Sequence, residues 1–283
     1  MCKEQMYQLS TEEQNKYGDA MRNLVDSYVT PISFFKRDDE TAGYHLGTGY
    51  FFQEDGGKFL ITNHHVAFPD GLDLSETALA FHFRGDGNYV RVHCPFVSNA
   101  YPTDVAIAAI FDNVWEQYHD KSLCLTSDKF EDKFECVENE LFFLEGFPGQ
   151  RAKMLSDTLY THETPLLTSR MPLIEGFNPD IHFALYFDVD NYVCTGEQSY
   201  LPSPDGMSGS LIWNTKIEEC KQKGLEWDNE KPKIVGIVHR YCPEEKCLIA
   251  TKVEHMNKDE LTKLALAEKN KIIKMIENGK QTT

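Results

Sequence analysis

The middle of the chain alternates short apolar runs with turn residues, while its two ends carry a longer period. The runs "PISFFKR", "GTGYFFQ", "KFLITNHHV", "ALAFHF", "YVRVHCPFV" and "DVAIAAIF" come first, followed by "ELFFLEGFPG", "HFALYFDVD", "SGSLIW", "KIVGIVHRY" and "CLIATKV". β-Branched and aromatic residues dominate these runs, and Gly, Pro, Asn and Asp separate them. That is the signature of short antiparallel strands in a barrel or sandwich. Near the N-terminus Ser10 and Glu13 have capping-box spacing. Tyr17, Met21, Leu24, Val25 and Tyr28 then recur at helical period, with Pro31 as the expected stop. Near the C-terminus Asn257 precedes Leu261, Leu264, Ala265, Ile272 and Ile276, which make one apolar helix face.

Two polar stretches punctuate the strands. "TSDKFEDKFECVEN" is acidic and turn-rich and divides the runs into two groups. "NTKIEECKQKGLEWDNEKPK" reads as a long surface hairpin or a short helix. The pattern therefore predicts a helical extension over 1–29, β-lobes over 30–125 and 126–256, and a C-terminal helix over 257–283.

Composition narrows the function classes. The chain has 283 residues and a formal net charge of −17, with 41% hydrophobic and 26% charged residues, values of a globular protein with room for a large core. An acidic surface excludes a nucleic-acid binder that tracks phosphates with a basic face. The opening "MCKEQMYQLSTEEQ" has no basic region and apolar stretch of a secretory leader, and no window is apolar for the roughly 18 residues of a membrane helix. The expectation is a cytoplasmic protein without membrane or nucleic-acid partners. Its cysteines are then thiols, several buried as small hydrophobes. Cys242 and Cys247 bracket "PEEK" and face each other if this is a hairpin, as a disulfide or half a metal site. No second half of a zinc site is visible, and no metal or organic cofactor is expected.

Three short motifs carry candidate chemistry. In "FLITNHHVAF" an apolar strand runs into His64 and His65, where a histidine at the strand end can project into a cleft; paired histidines also occur in solvated turns and weak metal sites. In "AYPTDVAIAAIF", Asp104 stands at the mouth of an apolar run, either as a turn residue or as a carboxylate that holds an imidazole by Nδ1. In "PDGMSGSLIW", Gly206 and Gly209 flank Ser208. The glycines allow a tight turn whose amides converge on one cavity, although a Gly/Ser loop alone has the same composition.

Together the three motifs resemble the chymotrypsin-like serine peptidases, in particular the bacterial branch of HtrA-type and glutamyl endopeptidases. "TNHHV" matches the base segment and selects His65 over His64; "DVAI" matches the acid strand at Asp104; "GMSGS" matches the nucleophile turn at Ser208. "GTGYFF" and "GFPG" agree as well, and the likeness covers approximately residues 30–276. It implies an all-β fold of two antiparallel six-stranded barrels with the terminal helices added. It also implies catalysis by His65, Asp104 and Ser208, an oxyanion hole from the Gly206 and Ser208 amides, and a protein or peptide substrate. No PDZ-like module is expected after the second barrel.

The sequence departs from the pattern in two places. Met207 stands where secreted relatives carry an aspartate that pairs with a newly cut N-terminus, so competence without that cleavage, or control by a partner, is expected instead. Pro202 stands at the pocket floor where enzymes cutting after Lys or Arg carry an aspartate. The pocket wall falls on His239, Arg240 and Tyr241, and His239 is one residue late for a pocket histidine unless the strand bulges. An acidic or amide residue before the cut is the specificity this implies. The rival readings are a silent scaffold, with Met207 or Arg240 closing the cleft, and a metal or redox sensor built on Cys242, Cys247 and the histidines.

Overall fold

The computed structural model describes residues 10–36, 43–72, 77–84, 89–155, 158–188 and 201–280. The first helix, α1 (Thr11–Val25), opens on the predicted capping box: Glu13 N–H donates to Ser10 Oγ at 3.2 Å and Ser10 N–H to Glu13 Oε2 at 2.9 Å. It ends at Asp26, ahead of Pro31. Pro31, the first residue of the expected run "PISFFKR", lies in β1 (Val29–Lys36). It lies beyond the end of the β4 ladder, which starts at Ile32, so its missing N–H leaves no gap on that side.

The first lobe continues with β2 (Gly43–Glu54), β3 (Gly57–Thr62), the single turn α2 (His64–Ala67), β4 (Thr77–His82), β5 (Tyr89–Arg91), β6 (Val97–Asn99), β7 (Val105–Ile110) and α3 (Asp112–Tyr118). Its strands form one seven-stranded sheet in the order β5-β4-β1-β2-β3-β7-β6, where six strands were expected. The extra strand comes from "YVRVHCPFV". Pro95 cannot donate to a ladder, and the run splits into β5 and β6 at opposite edges of the sheet.

The second lobe holds β8 (Leu141–Gly146), the small hairpin β9 (Lys153–Leu155) and β10 (Thr158–Tyr160), β11 (Thr164–Met171), β12 (His182–Tyr186), β13 (Leu211–Asn214), α4 (Ile217–Lys223), β14 (Lys233–Cys242) and β15 (Cys247–Lys252). Six of these strands close a barrel in the order β11-β12-β15-β14-β13-β8. The charged excursion is resolved as the helix α4, ended by Gly224 at φ +64°. The last helix is α5 (Lys258–Lys280), immediately after Asn257. None of the described helices is long and apolar enough to cross a membrane.

Strand alternation explains how the lobes join. Along β2, Phe51 enters the core of the first lobe with Leu60, Phe81 and Trp115, while its neighbours Tyr50 and Phe52 point the other way. Along β8, Phe142 and Leu144 fill the barrel, while Phe143 points out of it. Tyr50, Phe52, Phe143, Trp213 and Ile237 thus build a shared third core at the seam. Met21 of α1 and Leu261 and Ala265 of α5 pack into the same seam. The buried Lys269 secures α5 by donating Nζ–H to Ile110 O at 2.9 Å and to Asp112 Oδ1 at 3.1 Å.

One buried group in this seam is expensive. Glu145 on β8 is completely buried and neither side-chain oxygen has a hydrogen-bond partner, although its backbone oxygen accepts from Tyr50 Oη–H at 2.6 Å. Its carboxylate lies within 4.8 Å of those of Asp26 and Glu163. Arg22 pairs with Glu163 at 3.2 Å and Arg84 pairs with Asp26. Burial, and then the two neighbouring carboxylates, hold the Glu145 carboxyl well above the usual range, against the smaller opposing effect of the arginines. A folded-state value above the unfolded one means that folding takes up a proton. The associated stability is full at acid pH and declines as pH rises past the unfolded carboxylate value. Replacing Glu145 with glutamine should therefore flatten the fall in Tm between pH 5 and pH 9, as read by calorimetry. Parallel curves for the two proteins would show that Glu145 holds no extra proton.

Candidate active site

β3 ends at Thr62, and Asn63 turns the chain into α2, so that His64 and His65 sit on a helical turn rather than on the strand end expected. The turn separates their fates. His64 Nδ1 meets Ser98 Oγ at 2.8 Å and its ring packs on Phe68. His65, about half exposed at its side chain, turns to Asp104.

Asp104 grips His65 twice. Its Oδ1 accepts the His65 backbone N–H at 3.0 Å, and its Oδ2 meets His65 Nδ1 at 2.7 Å. The carboxylate accepts, so Nδ1 is the nitrogen that carries a proton in this pair. Asp104 sits in the left-handed region at φ +54°, a conformation aspartate tolerates, and Asn63 Nδ2 donates to its backbone oxygen at 2.7 Å. The second lobe holds this loop too. Thr251 Oγ1 donates to Thr103 O at 2.9 Å, and His182 Nε2–H donates to Pro102 O at 2.8 Å.

The Ser208 turn is set peptide by peptide. Asp205 O accepts from Gly149 N–H at 2.6 Å and Met207 O from Ser210 N–H at 3.0 Å. C=O and N–H point in opposite directions across a trans peptide, so the Gly206 and Ser208 amides face away from those anchors. The peptide between them is inverted: Gly206 O accepts from Thr48 Oγ1 at 2.9 Å, and Met207 N–H donates to Pro204 O at 2.8 Å. Among the described residues nothing accepts from the amides of Gly206 or Ser208. Thr48 N–H holds Ser208 O at 2.8 Å, and Gly209 N–H donates to Val238 O at 3.0 Å.

Two glycines are obligatory here. Gly206 has φ +95°, and a Cβ on it would lie 2.6 Å from His45 Nε2 and 2.7 Å from Phe147 O. Gly209 has φ +93°, and its Cβ would run into the carbonyl oxygen of Thr48. His45 was not anticipated. It is half-buried against the turn, donates Nε2–H to Phe147 O at 2.5 Å, and desolvation lowers its pKa and favours the neutral ring. Met207 is fully buried in the barrel core, so it anchors the turn by apolar packing and does not close the cleft.

A cleft of about 460 Å³ brings the parts together. His65, Gly206 and Ser208 line it with His239, Arg240 and Tyr241, and Leu46, Pro204 and Leu248 complete the walls. Pro202 is buried and does not line it; Pro204 and Asp205 take that side. The β14–β15 ladder pairs Val238 with Ala250 and Arg240 with Ile249, which leaves His239 as a bulged residue. β14 is buried continuously from Ile234 to His239, and the bulge re-aims His239 relative to Val238. His239 then packs with its ring centre 5.0 Å from that of His182, the planes tilted by 39°, in a shell that includes Tyr101 and Phe177. Desolvation, and next the His182 ring, depress its pKa to about 3, so it is neutral at physiological pH. Its Nε2 is buried without a partner. Nothing in "HFALYF" distinguishes His182 from any residue at a strand start, so the sequence carried no signal for it.

The chain matches no protein-family model and no curated protein sequence. Solved structures do resemble it. Tobacco etch virus protease complexed with product is 14% identical, with 86% of this chain and 80% of that chain covered and a TM-score of 0.44. A thermostable serine protease, AL20, from an extremophilic microorganism is 9% identical over 89% of this chain and 99% of that one, with a TM-score of 0.48. The Rv3671c protease of M. tuberculosis in its active form is 16% identical over 90% and 84%, with a TM-score of 0.44. All three scores lie below 0.5.

The turn geometry makes a direct prediction. Gly209→Ala should destabilise the protein by about 2–5 kcal/mol, from a left-handed alanine plus steric overlap with backbone. Urea unfolding measures this, and a loss under 1 kcal/mol would mean that the turn and Thr48 can separate cheaply.

Proposed function

We propose that this protein is a serine endopeptidase that cuts protein or peptide substrates through an acyl-enzyme. The observation that carries the reading is the double grip of Asp104 on His65, in a cleft that His65 shares with Ser208 and two amides without acceptors. Ser208 Oγ attacks the substrate carbonyl while His65 Nε2 takes its proton and passes it to the leaving amine. Asp104 keeps Nδ1 protonated and stabilises the imidazolium. The developing oxyanion accepts from Gly206 N–H and Ser208 N–H, donors that need no reorganisation because their peptides are already anchored. Water repeats the sequence on the ester and releases the acid. The chemistry requires no metal or organic cofactor.

His239 is the proposed selector of the residue before the cut. A neutral imidazole with an unpartnered Nε2 suits a side-chain oxygen that can exchange a hydrogen bond, as in glutamine or glutamate, and it offers nothing to an ammonium. Arg240 at the exposed rim, with its guanidinium 5.9 Å from the Phe177 ring centre, adds positive charge on the same side.

Two outcomes are expected. A fluorophosphonate probe should label the wild type and fail on Ser208→Ala and His65→Ala, while Asp104→Asn should lower turnover by roughly 10³–10⁴-fold. Wild type unlabelled under reducing conditions would overturn the hydrolase reading. In a peptide library scanned at the residue before the cut, Gln and Glu should exceed Lys and Arg at least tenfold. His239→Ala should erase that preference while probe labelling persists; dominant cleavage after Lys or Arg would exclude His239 as selector.

A further inference from the structure

The rim of the cleft carries a second reactive pair. β14 and β15 meet at Cys242 and Cys247, which are direct cross-strand partners at the mouth of their hairpin. Both cysteines are free. Residues directly opposite in an antiparallel ladder have Cα atoms about 4.5–5.5 Å apart, inside the roughly 4.4–6.8 Å that a disulfide spans. The pair is therefore positioned for a bond with little backbone movement.

Its surroundings connect it to the cleft. Tyr241, Pro243 and Leu248 each adjoin one of the two cysteines, and all three line the wall. The intervening turn is closed by Lys246 N–H donating to Pro243 O at 3.3 Å, and it is tied to the end of β12 by Phe187 N–H donating to Lys246 O at 2.8 Å. Tyr241 packs on Phe187 at 5.5 Å between ring centres. Any twist between Cys242 and Cys247 thus moves the wall against which a substrate must lie. Cys242 is half-buried and reachable by a small oxidant, whereas Cys247 is fully buried beneath it.

We propose that Cys242 and Cys247 form a reversible disulfide that stiffens this wall, so that the cleft works with free thiols and slows when they are oxidised. The bond itself follows from the hairpin geometry; its effect on reactivity rests on the hydrolase reading above. The oxidant is a peroxide. Cys242 sulfur takes one oxygen from hydrogen peroxide, giving a sulfenic acid and one water. Cys247 sulfur then displaces the hydroxyl, which leaves with the remaining thiol proton as a second water. Two thiols and one hydrogen peroxide become one disulfide and two waters. Burial pushes the Cys247 thiol up to about 12 and raises Cys242 as well, so little thiolate is present at neutral pH. The reaction is then slow, a response to sustained oxidant rather than to a brief pulse.

The test uses the whole protein, reduced and then treated with hydrogen peroxide. Oxidation should lower the intact mass by about 2 Da per bond formed. Trypsin cuts after Arg240 and Lys246, so the bond should appear as Tyr241–Lys246 joined to Cys247–Lys252. Fluorophosphonate labelling should slow at least threefold and recover with dithiothreitol, and Cys242→Ser should lose both the linked peptide and the slowing. Absence of the linked peptide after oxidation overturns the proposal whatever Ser208 does. A linked peptide with unchanged labelling overturns its regulatory half. Failure of the reduced wild type to react with the probe counts against the hydrolase reading alone, since peptide mapping still decides the bond.

Discussion

The alternation of peptide planes from Asp205 to Ser208 is the constraint on which the cleft depends. Outer carbonyls are tied down, the middle carbonyl is turned over, and two N–H groups are left to face open space. The second lobe ties down the outer carbonyls itself, through Gly149 and Ser210, but not the middle one. Thr48 supplies both the hydroxyl that holds Gly206 O and the amide that holds Ser208 O, and Thr48 belongs to β2 of the first lobe. The turn is therefore as much a feature of the interface as of the barrel. This is why the apolar seam of Tyr50, Phe143 and Trp213 matters to chemistry: it fixes the distance across which Thr48 must reach.

The same reciprocity holds on the acid side. The loop before β7 carries Asp104, and the second lobe binds its backbone at Pro102 and Thr103. His182 contributes one of those bonds and also packs against His239, so the pocket wall and the aspartate loop share a residue. Loss of His182 packing is expected to disturb both at once. On both sides of the cleft, then, some of the anchoring bonds come from the opposite lobe.

Much of this was legible beforehand because it is local. Capping at Ser10 and Glu13, the alternating strands and the His65, Asp104 and Ser208 motifs each depend on a few adjacent residues; Asp104 bonds to His65, and His65 and Ser208 line one cleft. Features that depend on distant partners were missed or misplaced. β11 is interrupted by Thr168, Ser169 and Arg170 and lacks a strong apolar run, yet two neighbours in the barrel complete it. Pro202 was assigned to the pocket by counting back from Ser208, and counting cannot foresee how a proline-rich loop folds back. His239 shows the opposite case: a bulge was needed to place it, and the ladder of β15 supplies one.

The bond from Lys269 to Ile110 has a meaning in time as well as in space. The two residues are 159 positions apart, and Ile110 ends the strand that follows Asp104. At about 5–20 residues per second of synthesis, the Ile110 carbonyl waits roughly 8–30 s on the ribosome for its lysine. For that interval α5 is not yet available to cover β7. A nascent chain has its His65 and Asp104 segments first, its Ser208 turn about a hundred residues later, and the brace for β7 last of all. The order of synthesis thus delays assembly of the complete cleft until the rest of the protein is there to hold it.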